Sequence, residues 1–287
     1  PVNSASQYAQ WCVFKLAAQN GVTVLLDGQG ADEILGGYEQ YFAFYLNSHE
    51  ATDIEKALIR ERYPLALSTL EQEWKTSLPF WFRRLAAHVL NRGSDLGFGI
   101  TREFARKASG SDDKRADVKT LHQALHRDSC LGFLTTLLRY GDRNSMAHSR
   151  EVRLPFCDHR IAEFVFSLPE NMIMGNAQTK YLLRESMRDI LPENVRTRWN
   201  KQGFLPPHAR WFQDGLLDFA EEIFNRPGFL QNQIWDAKWW RRVIRRVREG
   251  EDHLATQLWK PFISELWFEH FVERVKKQPK FNPLVEN

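Results

Sequence analysis

Cysteine is scarce: only Cys12, Cys130 and Cys157 occur, odd in number and far apart. They lack paired-thiol spacing, which speaks against a disulfide framework and for a reducing compartment. The sequence also lacks an apolar run of membrane-spanning length and a signal peptide, so no membrane association and a cytoplasmic location are expected. Charge of neither sign dominates. The net +3 is too small to argue for nucleic acid. There is no internal repeat and no long low-complexity linker. Aromatic residues are plentiful instead: 10 Trp and 20 Phe suggest a well-filled interior, in one large domain or two small ones.

Asn3 or Ser4 can cap a helix whose apolar positions Ala9, Val13, Leu16 and Ala17 recur at helical spacing. Asn20-Gly21 ends it. The run from Val22 to Leu26 then reads as a strand buried on both faces, as in a parallel sheet. From Glu33 the chain looks helical, with Gly36-Gly37 permitting close packing or a bend. Helical periodicity returns at 53–73 and 79–91, with loops expected at 92–99 and 109–113. Leu131, Leu134, Leu138 and Met146 line a further helix that Gly141 threatens to interrupt. Asp158 is a plausible N-cap for a helix bearing Ile161, Phe164, Val165 and Leu168, and Thr179 introduces another over 180–191. Trp- and Arg-rich helices are expected over 211–224, 237–249 and 254–275.

Three segments carry chemistry. In the first, a strand ends in the turn Asp27-Gly28-Gln29-Gly30-Ala31-Asp32-Glu33 and leads into a helix. Free backbone N–H groups and a helix N-terminus there favour anions. Gly28 and Gly30 would let backbone approach a ligand closely, while Asp32 and Glu33 put negative charge where phosphate would sit. Mg2+ between carboxylate and phosphate removes that conflict. A plain strand-to-helix turn, its acids complementing the helix dipole, suits the loop alone equally well. The second segment runs from Arg143 to Asp158, where burying Arg143, Glu151, Arg153 and Asp158 would be costly unless they pair or hold a charged ligand. The third joins Thr179-Lys180 to Lys201 in a polar turn before Gly203. Lys201 taken alone is more simply a solvated surface lysine.

VTVLLDGQGADEILGGY, RNSMAHSREVRLPFCDHR and TKYLLRE followed by KQGF occur in that order. Together they resemble the synthetase domain of glutamine-hydrolysing asparagine synthetases, most strongly over 21–38 and 143–204. The resemblance implies an α/β, adenine nucleotide alpha hydrolase-like fold. This chain would hold a strand-loop portion (1–50) and a helical body (51–287). It further implies ATP and Mg2+ as cofactors and aspartate or another carboxylate as substrate. Ammonia would come from glutamine through an N-terminal glutaminase domain. A homodimer is among the assemblies this reading allows. By motif position, Asp27, Gly28, Gly30 and Lys180 would serve ATP or the adenylate, and Asp32 the metal. Lys201 would meet the departing pyrophosphate, and Gln29, Glu151 and Arg153 would organise the reaction.

Two departures qualify the resemblance. The family's loop usually reads Ser-Gly-Glu-Gly, whereas here Gln29 lacks the carboxylate that could orient or deprotonate an incoming amine. That favours relatives amidating sugar acids or other carboxylates. The Ser-Gly-Gly-x-Asp-Ser pyrophosphate loop and the glutaminase cysteine are also absent and are expected to precede Pro1. The fragment alone is accordingly expected neither to hydrolyse glutamine nor to bind ATP tightly.

Three rival readings remain. Trp239-Trp240-Arg241-Arg242 with Arg245-Arg246 combines rings and charge in the manner of a nucleic-acid surface. His122 and His126, at i and i+4, offer two metal ligands without a third. A catalytically inactive scaffold is the last alternative.

Overall fold

The computed structural model describes residues 4–64, 99–108, 118–200, 203–204 and 206–274. Lys201 lies outside them, as do the expected segments at 79–91 and 109–113 and most of 92–99. The chain divides into two compact units. One comprises Gln10–Arg92 with Lys114–Gly203, the other Pro1–Ala9, Gly93–Asp113 and Phe204–Asn287. Most described residues are helical. No described helix is long and apolar enough to cross a membrane.

In the first unit a glycine turn feeds the sheet. The helix Ser6–Gln19 ends at Gly21 (φ +71°). Val22 N–H donates to Ala17 O (3.0 Å) and Gly21 N–H to Ala18 O (3.2 Å), a Schellman ending that uses glycine's freedom at positive φ. The chain then enters β1 (Val24–Leu26), which runs parallel to β2 (Glu151–Arg153) with Leu25 opposite Val152. The expectation of a strand buried on both faces does not hold: Val24 is 39% and Leu26 76% exposed. Among the described residues the sheet has only these two strands.

The core beside this sheet is built from helices that the local sequence punctuates well. Thr52 accepts from Glu55 N–H to start Asp53–Arg62. Thr120 and Gln123 form a capping box at the head of Leu121–His126. Tyr41, Phe42, Tyr45, Ile59, Tyr63, Leu121 and Leu125 are fully buried between them. Each such side chain contributes about 1.5–3 kcal/mol through burial. The phenol of Tyr41 donates to Asp128 (2.9 Å) and that of Tyr45 to Glu55 (3.2 Å), so neither hydroxyl is stranded.

Further on, Gly141 does not interrupt its helix, which runs unbroken over Phe133–Met146. Leu131 (75% exposed) and Met146 (59%) are not on its buried face, because Leu131 belongs to a separate wide turn, Arg127–Leu131. Asp158 caps His159–Ser167 as expected, accepting from Arg160 N–H at 2.9 Å, although Phe164 points to solvent. The helix expected over 180–191 shrinks to Tyr181–Ser186. It is preceded not by a Thr179 cap but by Lys180 in left-handed backbone.

The second unit packs Phe212, Phe224, Phe229, Trp239, Trp240 and Phe262 around the helix Ala237–Arg248. Asp236 caps that helix. Three arginines in its last turn complement the negative end of the helix dipole. Trp240 Nε1–H donates to Gly99 O (2.7 Å). Trp239 and Trp240 are 7% and 5% exposed, so the rings that suggested base stacking belong to the core. The helix expected over 211–224 breaks at Gly215 (φ +132°). The one expected over 254–275 is realised as the tight turns Asp252–Leu258, the helix Trp259–Trp267 and the wide turn Phe268–Glu273.

Candidate functional site

Two segments far apart in sequence meet through the strand ladder. Glu151 N–H donates to Thr23 O (3.0 Å), and at the other end Asp27 N–H donates to Arg153 O (3.0 Å). The last rung therefore sets the start of the Asp27–Glu33 loop beside Arg153. Along the sheet, from Thr23 to Asp27, a cleft of about 680 Å³ opens against the helix Phe133–Met146, with Asp27, Gln29, Asp142, Ser145, Ser149 and Glu151 among its walls. Three of these are carboxylates. The cationic wall residue, Arg150, spends its guanidinium on the carbonyls of His148 (2.9 Å) and Val22 (2.8 Å). The polar wall thus offers hydrogen-bond acceptors to a ligand, beside the apolar side chains of Leu138, Met146, Val152 and Leu154.

Gln29 lies over Gly141, where a Cβ would come within 3.3 Å of Gln29 Oε1. That oxygen is buried without a hydrogen-bond partner. Leaving it unmet costs about 1–3 kcal/mol, a cost more usual at binding sites than in cores. Gly30, at φ +91°, is pressed from the other side, since a Cβ there would sit 2.6 Å from Cys157 Sγ. Burial first, then the charges of Glu33 and Asp27, push the Cys157 thiol above its ordinary pKa, so it stays protonated. Gly28 is exposed at the loop.

Glu33 does not face ligand space. It is 1% exposed and its carboxylate accepts from the Tyr38 hydroxyl, while Ser129 Oγ donates to its carbonyl (3.1 Å). Burial, reinforced by the hydrogen bond to Glu33, drives the Tyr38 phenol well above the usual range, so it remains a donor. Asp32 turns the other way, with Lys180 Nζ 3.0 Å from its Oδ1.

The sequence-predicted residues therefore fall into two groups. Asp27, Gln29 and Glu151 share the cleft, with Arg153 beside it, its Nε 2.7 Å from Glu151 Oε1. Asp32 and Lys180 pair with each other and are not among the cleft walls. The second segment avoids the cost of buried charge by leaving its side chains in solvent: Arg143 is 80%, Arg153 63% and Glu151 56% exposed. The exposed Glu151–Arg153 pair stabilises the fold little. Asp142 and Ser145 were missed, whereas Gly37, read as permitting close packing or a bend, lies against Asp32 and Lys180. The small residues Gly141 and Ser145, one helical turn apart, were the available signal that something packs closely there. The His122/His126 pair is structural: His122 Nε2 lies 3.0 Å from Leu168 O and its Nδ1 3.2 Å from Glu170. Among the described residues no three His, Cys, Asp or Glu side chains gather as metal ligands.

Comparison with known proteins gives this arrangement a context. A family model for asparagine synthase matches residues 1–269. Asparagine synthetase (glutamine-hydrolyzing) 3 of Bacillus subtilis is 28% identical over 75% of this chain and 31% of the relative. Asparagine synthetase (glutamine-hydrolyzing) 1 of the same organism is 24% identical over 92% of this chain and 44% of the relative. The mouse asparagine synthetase (glutamine-hydrolyzing) is 29% identical over 45% of this chain and 25% of its own length. The chain spans less than half the length of the curated relatives it matches.

Proposed function

The chain belongs to the asparagine synthase family, and on that premise we propose that it carries the carboxylate-activating part of an ATP-dependent amidoligase. In this reading a substrate carboxylate oxygen attacks the α-phosphorus of ATP and pyrophosphate leaves. Ammonia derived from glutamine then attacks the acyl carbon, a proton is lost, and AMP departs with its former carboxylate oxygen. A carboxylate is a poor electrophile until one oxygen becomes part of a leaving group, so positioning and charge stabilisation carry the catalysis. The fold assigned is adenine nucleotide alpha hydrolase-like, with a strand-loop portion at 1–50 and a helical body at 51–287.

The observation that carries this reading is the rung from Asp27 N–H to Arg153 O, which holds the loop and the Glu151–Arg153 strand at one cleft. Asp27, Gly28 and Gly30 are assigned to the adenylate. Gln29 and Glu151 are assigned to the incoming amine, for which the acid-rich lining and the unmet Gln29 oxygen are suited. Arg153 and Lys180 are assigned to organising substrate and phosphate, and Lys201 to the pyrophosphate. Mg2+ fits under one condition. Asp32 offers a single carboxylate, which suffices for this cation when substrate phosphate supplies further oxygens, and Asp32 would then hold it while it neutralises pyrophosphate charge.

Aspartate is the first substrate to test, and a sugar acid the second, because Gln29 replaces the family's usual glutamate. Ammonia-dependent AMP formation by the full-length protein, compared between aspartate and uronic acids, decides between them. AMP formation with neither substrate class, in a protein that also shows no ATP–pyrophosphate exchange, refutes the adenylating reading and leaves a scaffold.

A further inference from the structure

Asp32 and Lys180 meet across a residue that has no side chain. Their charged atoms are 3.0 Å apart, and the lysine and aspartate side chains are 25% and 26% exposed. A Cβ on Gly37 would lie 1.9 Å from Asp32 Oδ1 and 2.4 Å from Lys180 Cε. The pair in this form requires glycine at position 37. Lys180 is further held by its backbone. Its N–H donates to Gly36 O (3.1 Å), its φ is +54°, and Arg184 Nε donates to the preceding carbonyl of Thr179 (2.7 Å). Left-handed backbone at a non-glycine residue costs about 1–3 kcal/mol. For a largely buried ion pair the desolvation cost roughly offsets the Coulomb attraction. Stability therefore does not account for placing a lysine here.

We propose that Lys180 is the resident counter-ion of Asp32 and keeps divalent cations off this carboxylate until nucleotide phosphate arrives. The inference rests on the adenylating reading for the identity of that phosphate. With an ammonium at 3.0 Å, Asp32 presents little negative potential to a free ion, and a lone carboxylate dehydrates Mg2+ poorly in any case. Phosphate offers the ammonium a more highly charged partner within reach of its flexible four-carbon stem. Lys180 then leaves Asp32, and the carboxylate becomes available for the cation that accompanies the phosphate. Metal and nucleotide consequently bind together rather than in either order.

Mn2+ titration without nucleotide, reading the free ion by its paramagnetic resonance, tests this on wild type, Lys180→Met, Lys180→Arg and the double variant Lys180→Met/Asp32→Asn. Lys180→Met is expected to bind Mn2+ about tenfold more tightly than wild type, the size of one screened charge removed at this distance. Lys180→Arg is expected to stay at the wild-type level, and Asp32→Asn to abolish the gain. Equal Mn2+ affinity in wild type and Lys180→Met overturns the proposal, as does a gain that survives Asp32→Asn. Circular dichroism verifies folding, and Lys180→Gln takes the place of Lys180→Met if the latter does not fold. ATP–pyrophosphate exchange is read separately: its absence would refute adenylation and leave the metal titration to judge Lys180.

Discussion

The two units distribute backbone strain very differently. Ser149, Asn176, Ala177, Lys180 and Asp189, the non-glycine residues with left-handed backbone, all lie in the unit that bears the cleft. In the other unit, among the described residues, only glycines (Gly215 and Gly250) take positive φ. Each unit also buries a glutamate, and here too they differ. Glu33 is met by the Tyr38 hydroxyl, whereas Glu265 receives Asn232 Nδ2 at a long 3.3 Å. One unit holds strained residues in place with neighbouring hydrogen bonds, such as Ala177 N–H to Glu55 (3.3 Å) and Arg62 to Ala177 O (3.3 Å). The other rests on aromatic packing. Strain of this kind persists only where surroundings over-determine it, and it concentrates at sites that bind or react.

Substitutions in each unit sharpen the contrast. The largest effect is expected from Trp240→Ala, which empties a core position and removes the indole hydrogen bond to Gly99 O, leaving that carbonyl to Asp236 N–H at 3.0 Å. It should lower stability by about 3–5 kcal/mol in urea unfolding, and a loss below about 1 kcal/mol would show that the aromatic core is not what holds this unit. Gly30→Ala comes next, at about 2 kcal/mol, from left-handed backbone and contact with Cys157. Adding Cys157→Ala should recover the steric part but not the backbone part, and full recovery would show that φ +91° carries no strain. The smallest effect concerns pH. Burial, aided by the Glu269 charge, raises the Glu265 pKa. Its contribution to stability is therefore complete below the ordinary glutamate pKa and is lost as pH rises through the raised value. Glu265→Gln should gain stability relative to wild type as pH increases from about 4 to about 8. A difference independent of pH would mean that Glu265 ionises as it does in the unfolded chain.

Much of this was legible because it is local. Gly21 as a helix stop, the strand before Asp27 and the Asp158 cap each depend on a few adjacent residues and form where read, although the strand is shorter and less buried than expected. The pairing of the loop with Glu151–Arg153 was legible only as motif order, and the ladder gives it geometry. What stayed hidden depends on distant neighbours. Gly141 reads as a helix breaker until Gln29 is seen to lie over it, and Gly37 reads as a bend until Asp32 and Lys180 close above it. Lys180 was legible as a motif residue but not as a strained one, because left-handed backbone at lysine has no composition signal. Leu131, Met146 and Phe164 fit an apolar stripe by spacing, yet solvent rather than core meets them.

The parallel register of β1 and β2 makes residue counting matter. The rungs from Thr23 to Arg153 join strands far apart in sequence, so the pairing itself, residue by residue, defines which side chains share a face. One residue deleted within Val24–Asp27 would transpose the pleat, sending each following side chain to the opposite face. Natural drift and deliberate grafting should accordingly find those four positions intolerant of any change in number.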